Sequence, residues 1–111
     1  MTTAYLYRQN NHYSGFEIDG HADYNDDQDI VCAAVSISSI TACNALEQLL
    51  DIKPNCTSDE TRGYLKCELP KGLPADLLVK SDIIIGQLSI ALTDLAQSYP
   101  EHVMIYTKEV L

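Results

Sequence analysis

Two long stretches with helical apolar rhythm, each preceded by a pair of short alternating segments, constrain this chain more than any other feature. From Ile30 to Leu50, apolar residues fall at 31, 35, 42, 46, 49 and 50, a spacing that predicts a helix. From Asp76 to Ser98, Leu77, Ile84, Leu88, Ala91 and Leu95 form a second stripe, widened by Ile83, Ile90 and Leu92. Lys53-Pro54 and Pro100 end the two helices, because proline cannot continue the ladder. Gly86 inside the second helix costs about 1 kcal/mol relative to Ala and suits a close helix approach.

The first half of the first helix, Ile30 to Ile37, is apolar almost all round apart from Ser36. Such an end is expected to be buried on more than one side. Ahead of it, Ala4–Gln9 and Tyr13–Asp19 alternate as strands around the turn signal Asn10-Asn11, which predicts a hairpin. Asn55–Ser58 and Tyr64–Leu69 form a second hairpin around Asp59–Gly63, and His102–Lys108 is a last strand. The order is β-β-α-β-β-α-β, which points to an α+β fold with a mostly antiparallel sheet. The 111 residues suffice for one domain, 1–111, with Pro70–Pro74 as a linker inside it.

Seven basic residues stand against 16 acidic ones, a net charge of −9. This argues against direct nucleic-acid binding, which needs clustered Lys and Arg, and is compatible with steering of a basic peptide. Met1–Tyr5 runs straight into strand-like sequence without a basic-then-apolar leader, and no uninterrupted apolar run approaches ~18 residues. A cytoplasmic location without a membrane span is expected. Cys32, Cys43, Cys56 and Cys67 contain no Cys-x-x-Cys pair, so reduced thiols are expected in place of zinc or redox motifs.

The chemistry concentrates in Gly20-His21-Ala22 and Asp29-Ile30-Val31-Cys32-Ala33-Ala34-Val35-Ser36. Cys32 is the third residue after the candidate N-cap Asp29, where the helix dipole favours a thiolate. Free N–H groups there could bind a developing oxyanion. His21, 11 residues earlier across an acidic loop, could serve as general base and then general acid. Asp29 could orient His21 or only cap the helix. Ser36, one turn after Cys32, could reach the thiolate or substrate, or bond back to a backbone carbonyl. Gly20 would supply a backbone shape that Ala does not allow. His12 and His102 read as surface residues, and Cys43 as core. Cys56 and Cys67 fall on the second hairpin as candidate neighbours. Asp23, Asp26, Asp27 and Asp29 with His21 lack a calcium-loop glycine pattern, so no metal and no cofactor are expected. The segment Gly20–Gln28 should be mobile without substrate.

These two blocks resemble the hallmark of the bacterial ribosomal-processing cysteine proteases. The departure is Asp27 where the family usually has glycine, in a loop about one residue shorter. The resemblance implies a cysteine endopeptidase with Cys32 and His21 catalytic, and with Gly20, Asp29 and Ser36 supporting. It implies that the substrate is the N-terminal extension of a large-subunit ribosomal protein. It also implies a homodimer, in line with the surplus apolar surface at Ile83 and Ile90. The alternative reading is a non-catalytic, ribosome-associated binding module with a buried Cys32.

Overall fold

Asn10 and Asn11 adopt positive φ angles of 53° and 67°, the left-handed pair that a tight hairpin turn requires and that Asn tolerates. They join β1 (Thr2–Gln9) to β2 (His12–Asp19). After a loop comes α1 (Ile30–Leu50), then the hairpin β3 (Asn55–Asp59) and β4 (Tyr64–Glu68), then α2 (Ala75–Ser98) and β5 (Val103–Glu109). The computed structural model describes residues 1–111. The element order is the one the sequence predicts, with boundaries moved by one or two residues.

The strands form one sheet in the order β3-β4-β2-β1-β5. All pairings are antiparallel except β1 with β5, which run parallel. Strand alternation puts Ala4, Leu6, Phe16, Ile18, Cys67 and Val103 into one core with Val31, Val35, Ala42 and Leu46 of α1 and Ile85, Leu88 and Leu92 of α2. The opposite alternation carries Tyr5, Tyr7, Glu17, Lys66 and Tyr106.

Three expectations change. The start of α1 is buried on one side only: Val31 and Val35 are in the core, while Ile30 and Ile37 are 58% and 66% exposed. One sheet face covers one stripe of a helix, and the flank is left over. On α2 the buried stripe runs through Ser81, Ile85, Leu88 and Leu92. Ile84 is half-buried, while Ile83 and Ile90 are exposed. Ser81 is tolerated there because its hydroxyl donates to the Leu78 carbonyl at 3.0 Å. Gly86 faces the Tyr13 ring on β2, and a Cβ there would sit 3.9 Å from it, an ordinary contact unrelated to helix approach.

By length and composition α1 could cross a membrane, being a 21-residue apolar helix. Here it packs its stripe onto the sheet, and Ser36, Ser38, Ser39, Thr41 and Asn44 interrupt its apolar run. His12 is not a bare surface residue. Its Nδ1 lies 2.6 Å from an Asp82 carboxylate oxygen, and the other oxygen accepts the Tyr13 N–H at 2.8 Å, tying the first hairpin to α2.

Candidate active site

The first turn of α1 places Cys32. The Asp29 carboxylate accepts the Cys32 N–H at 2.8 Å through one oxygen. Its other oxygen accepts the N–H groups of Tyr24 at 2.9 Å and Asn25 at 3.4 Å. Burial by itself raises the pKa of this carboxyl. The backbone donors of Cys32, Tyr24, Asn25 and Val31 outweigh that and hold it below the usual carboxylate range. Of its two possible roles Asp29 therefore takes the cap, and it also fastens the acidic loop to the helix. It makes no hydrogen bond with His21. The cap has a second consequence: the Cys32 amide is spent on Asp29 and the Ala33 amide on the Asp29 carbonyl. Neither is free for an oxyanion.

His21 leaves the end of β2 through Gly20, whose φ of +94° is left-handed. A Cβ at Gly20 would stand 2.6 Å from the Met1 carbonyl, so glycine is required on both counts. The Gly20 N–H donates to the Gly63 carbonyl at 3.0 Å. The Thr2 hydroxyl donates to the Gly20 carbonyl at 2.9 Å. The chain is thereby turned back over α1, and His21 Nδ1 stands 3.9 Å from the Cys32 sulfur. That is the long end of a sulfur hydrogen bond, and apo sites are often loose in this way.

The other ring nitrogen, Nε2, lies 3.0 Å from the Thr61 carbonyl. A carbonyl only accepts, so Nε2 carries the hydrogen in the neutral ring and Nδ1 turns its lone pair toward Cys32. A backbone carbonyl thus orients the imidazole, in the place where the sequence offered Asp29. The turn that supplies it also supplies Gly63, with φ +68°. A Cβ there would come within 3.0 Å of His21 Nδ1, so glycine leaves room for the ring. Thr61 and Gly63 are not legible as site residues, because a backbone carbonyl has no side-chain signature. The only signal is a glycine-closed turn in a hairpin.

His102 also has a constellation, contrary to its surface reading. Its Nδ1 is 3.0 Å from the Ala22 carbonyl, and its ring and that of Tyr99 both meet Tyr24 edge-on with centroids 5.3 Å apart. Ala22 is fully buried. The loop is therefore pinned at Ala22, Tyr24 and Asp29, while Asn25 to Gln28 are exposed.

Cys32 and His21 open into a groove of about 360 Å³ between α1 and the β2 and β3–β4 strands. Val35, Ser36, Ser39 and Ile40 form its helix wall; Ile18, Ser58, Glu60, Gly63, Tyr64 and Leu65 form the other. Gly20 is on its rim and Ser36 is exposed on its wall. Cys32 is half-buried and His21 exposed. The arrangement can transfer a proton from thiol to imidazole beside an open groove. The other three cysteines are elsewhere. Cys56 and Cys67 face each other across β3 and β4, as the hairpin spacing suggested, and Cys43 joins them.

Comparison with known proteins agrees with this geometry. A family model described as cysteine protease Prp matches residues 1–104. The ribosomal processing cysteine protease Prp of Bacillus subtilis (strain 168) is 29% identical over 93 residues, covering 83% of each chain. The crystal structure of SMU.848 from Streptococcus mutans superposes with a TM-score of 0.87 at 31% identity, covering 99% of this chain and 96% of that one. The ribosomal processing protease Prp from S. aureus, in complex with a covalently linked product peptide, has the same fold. Its TM-score is 0.85 at 22% identity, covering 97% of this chain and 100% of that one.

Proposed function

The chain belongs to the cysteine protease Prp family, and on that premise we propose that it removes the N-terminal extension of a large-subunit ribosomal protein. Its relative in Bacillus subtilis carries ribosomal processing in its name. The observation that carries the reading is the Cys32–His21 pair lining a groove of about 360 Å³. The alternative of a non-catalytic module needs a buried Cys32, and here the sulfur lines the groove.

In the proposed reaction His21 Nδ1 takes the thiol proton. The Cys32 sulfur attacks the scissile carbonyl, and the imidazolium returns the proton to the leaving amine. Water then hydrolyses the thioester. The Thr61 carbonyl accepts from Nε2 and holds the ring's orientation throughout. Exposed Asp23, Asp26 and Asp27 on the loop and Glu60 in the groove wall favour a basic peptide. Ser36 contacts the bound chain.

The same reading includes a homodimer in the cytoplasm. Ile37 at 66%, Ile83 at 69% and Ile90 at 65% exposure leave apolar area on the outer side of both helices, and a two-fold contact would cover it. Light scattering tests this: a mass near 12.3 kDa in place of twice that figure removes the dimer. For the activity, purified protein is mixed with synthetic N-terminal segments of ribosomal proteins, and the products are read by mass spectrometry. Cleavage at one site, abolished by thiol alkylation, is expected. Intact peptides after long incubation with reactive Cys32 would assign the thiol to another acyl substrate.

A further inference from the structure

Three sulfurs outside the active site converge on one point. Cys43 comes from the middle of α1, and Cys56 and Cys67 come from directly paired positions on β3 and β4. The Cys43 and Cys56 sulfurs are 3.8 Å apart, and all three lie within 4.8 Å of one another. No histidine or carboxylate joins them. We propose that Cys43, Cys56 and Cys67 form a three-thiolate site for a soft closed-shell cation, of the class of monovalent copper or zinc.

The geometry suits that class. A metal–sulfur bond of about 2.3 Å puts ligand sulfurs about 3.8 Å apart in a tetrahedral site and about 4.0 Å apart in a trigonal one. One separation already has this value, and the others need only a small closure. Thiolates select soft metals over magnesium or calcium. A disulfide would use two sulfurs and leave the third, whereas a cation uses all three. The entry path is also present: Cys67 is fully buried, Cys43 half-buried and Cys56 exposed, so an ion reaches the cluster past Cys56.

Thiols bind such a cation as thiolates, so binding releases their protons. A monovalent ion prefers the three sulfurs alone; zinc would complete its four-coordinate shell with water. Either ion would staple the β3–β4 hairpin to α1, because the ligands come from both.

The test uses the full reduced chain under anaerobic conditions. Copper(I) is titrated in competition with bicinchoninate, and zinc in competition with a pyridylazo dye. We expect one equivalent of at least one ion to bind to wild type and equally to Cys32→Ala. Cys56→Ser and Cys43→Ser should weaken binding at least 10-fold. Cys56 is exposed, so its serine variant is expected to fold, and circular dichroism checks this. The extended X-ray absorption fine structure of the bound metal should report three sulfur neighbours near 2.3 Å, and binding should raise the unfolding temperature of wild type and Cys32→Ala but not of Cys56→Ser. Failure of both ions to bind, a site lost in Cys32→Ala, unchanged binding by Cys56→Ser, or a two-sulfur shell would overturn the assignment. None of these outcomes depends on whether the chain cleaves peptides.

Discussion

Cys32 and Cys43 stand on the same stripe of one helix, about three turns and 16 Å apart, and their surroundings share almost nothing. Cys32 sits in the first turn, where Asp29 caps the helix and a loop delivers an imidazole. Cys43 sits mid-helix, where every amide is committed to the ladder, and its neighbours are two more sulfurs. The helix supplies an address for each thiol, and the strands and loops that arrive there supply the chemistry. One address assembles a nucleophile and its base; the other assembles soft ligands.

The sharpest way to break this contrast is to remove each sulfur in turn. Cys32→Ala should abolish peptide cleavage, while Cys43→Ala should keep it. Alanine suits both helical positions, and the expected stability loss at Cys32 is about 1 kcal/mol or less by the transfer scale. Initial rates and urea midpoints check the two halves. Cleavage by Cys32→Ala, or its loss in a folded Cys43→Ala, would invert the assignment. His21→Ala comes next. It should lower turnover by about 100-fold or more, as expected for loss of a general base, with peptide affinity changed less. A normal single-turnover rate would take His21 out of the mechanism.

Much of this was legible in the sequence, for identifiable reasons. The period of the helices, the paired asparagines and the prolines act locally, so the element order could be read. Asp29 before Ile30-Val31-Cys32 announced the cap, because capping is decided within one turn. The orienting group of His21 was not readable: the Thr61 carbonyl arrives from 40 residues away with no side chain involved. His102 and Tyr24 meet for the same reason, through tertiary packing alone. Cys56 and Cys67 could be read as candidate neighbours because they fall on the two strands of one hairpin, and they do pair. Cys43 could be added only once the helix was laid on the sheet.

Gly63 sharpens the loop side of the comparison. Gly63→Ala must hold a left-handed φ, which costs about 1 kcal/mol, and its methyl group would press on the His21 ring. We expect turnover to fall by about 10-fold through displaced imidazole geometry, with the pH profile of kcat/KM shifted and the fold retained. An unchanged profile would show that the ring has room to spare.

Asp29→Ala tests the helix-end side. Loss of an N-cap costs about 1 kcal/mol, which calorimetry would read as a drop of roughly 4 °C for a domain of this size. The Asp29 pKa is depressed in the folded chain. Its stabilisation is therefore complete above the unfolded carboxylate value, about 3.9, and is lost as pH falls through the lower folded value. Wild type and Asp29→Ala should differ fully above pH 5 and draw together as pH falls through the depressed folded value. A stability gap independent of pH would mean the carboxylate charge is not what caps the helix.

The smallest effect belongs to the middle of the other helix, where the contrast predicts a change in stability and nothing else. Gly86 lies well inside α2, its φ is not left-handed, and a Cβ would meet only the Tyr13 ring at 3.9 Å. Alanine there gains helix propensity and removes conformations from the unfolded chain. Gly86→Ala should therefore raise stability by about 0.5–1 kcal/mol, a gain of a few degrees by calorimetry, with cleavage rates unchanged. It reaches neither the Cys32–His21 groove nor the three-sulfur cluster. If the variant instead lost activity or stability, Gly86 would be holding open a contact that the isolated chain does not display, and the outer face of α2 would be the place to look for it.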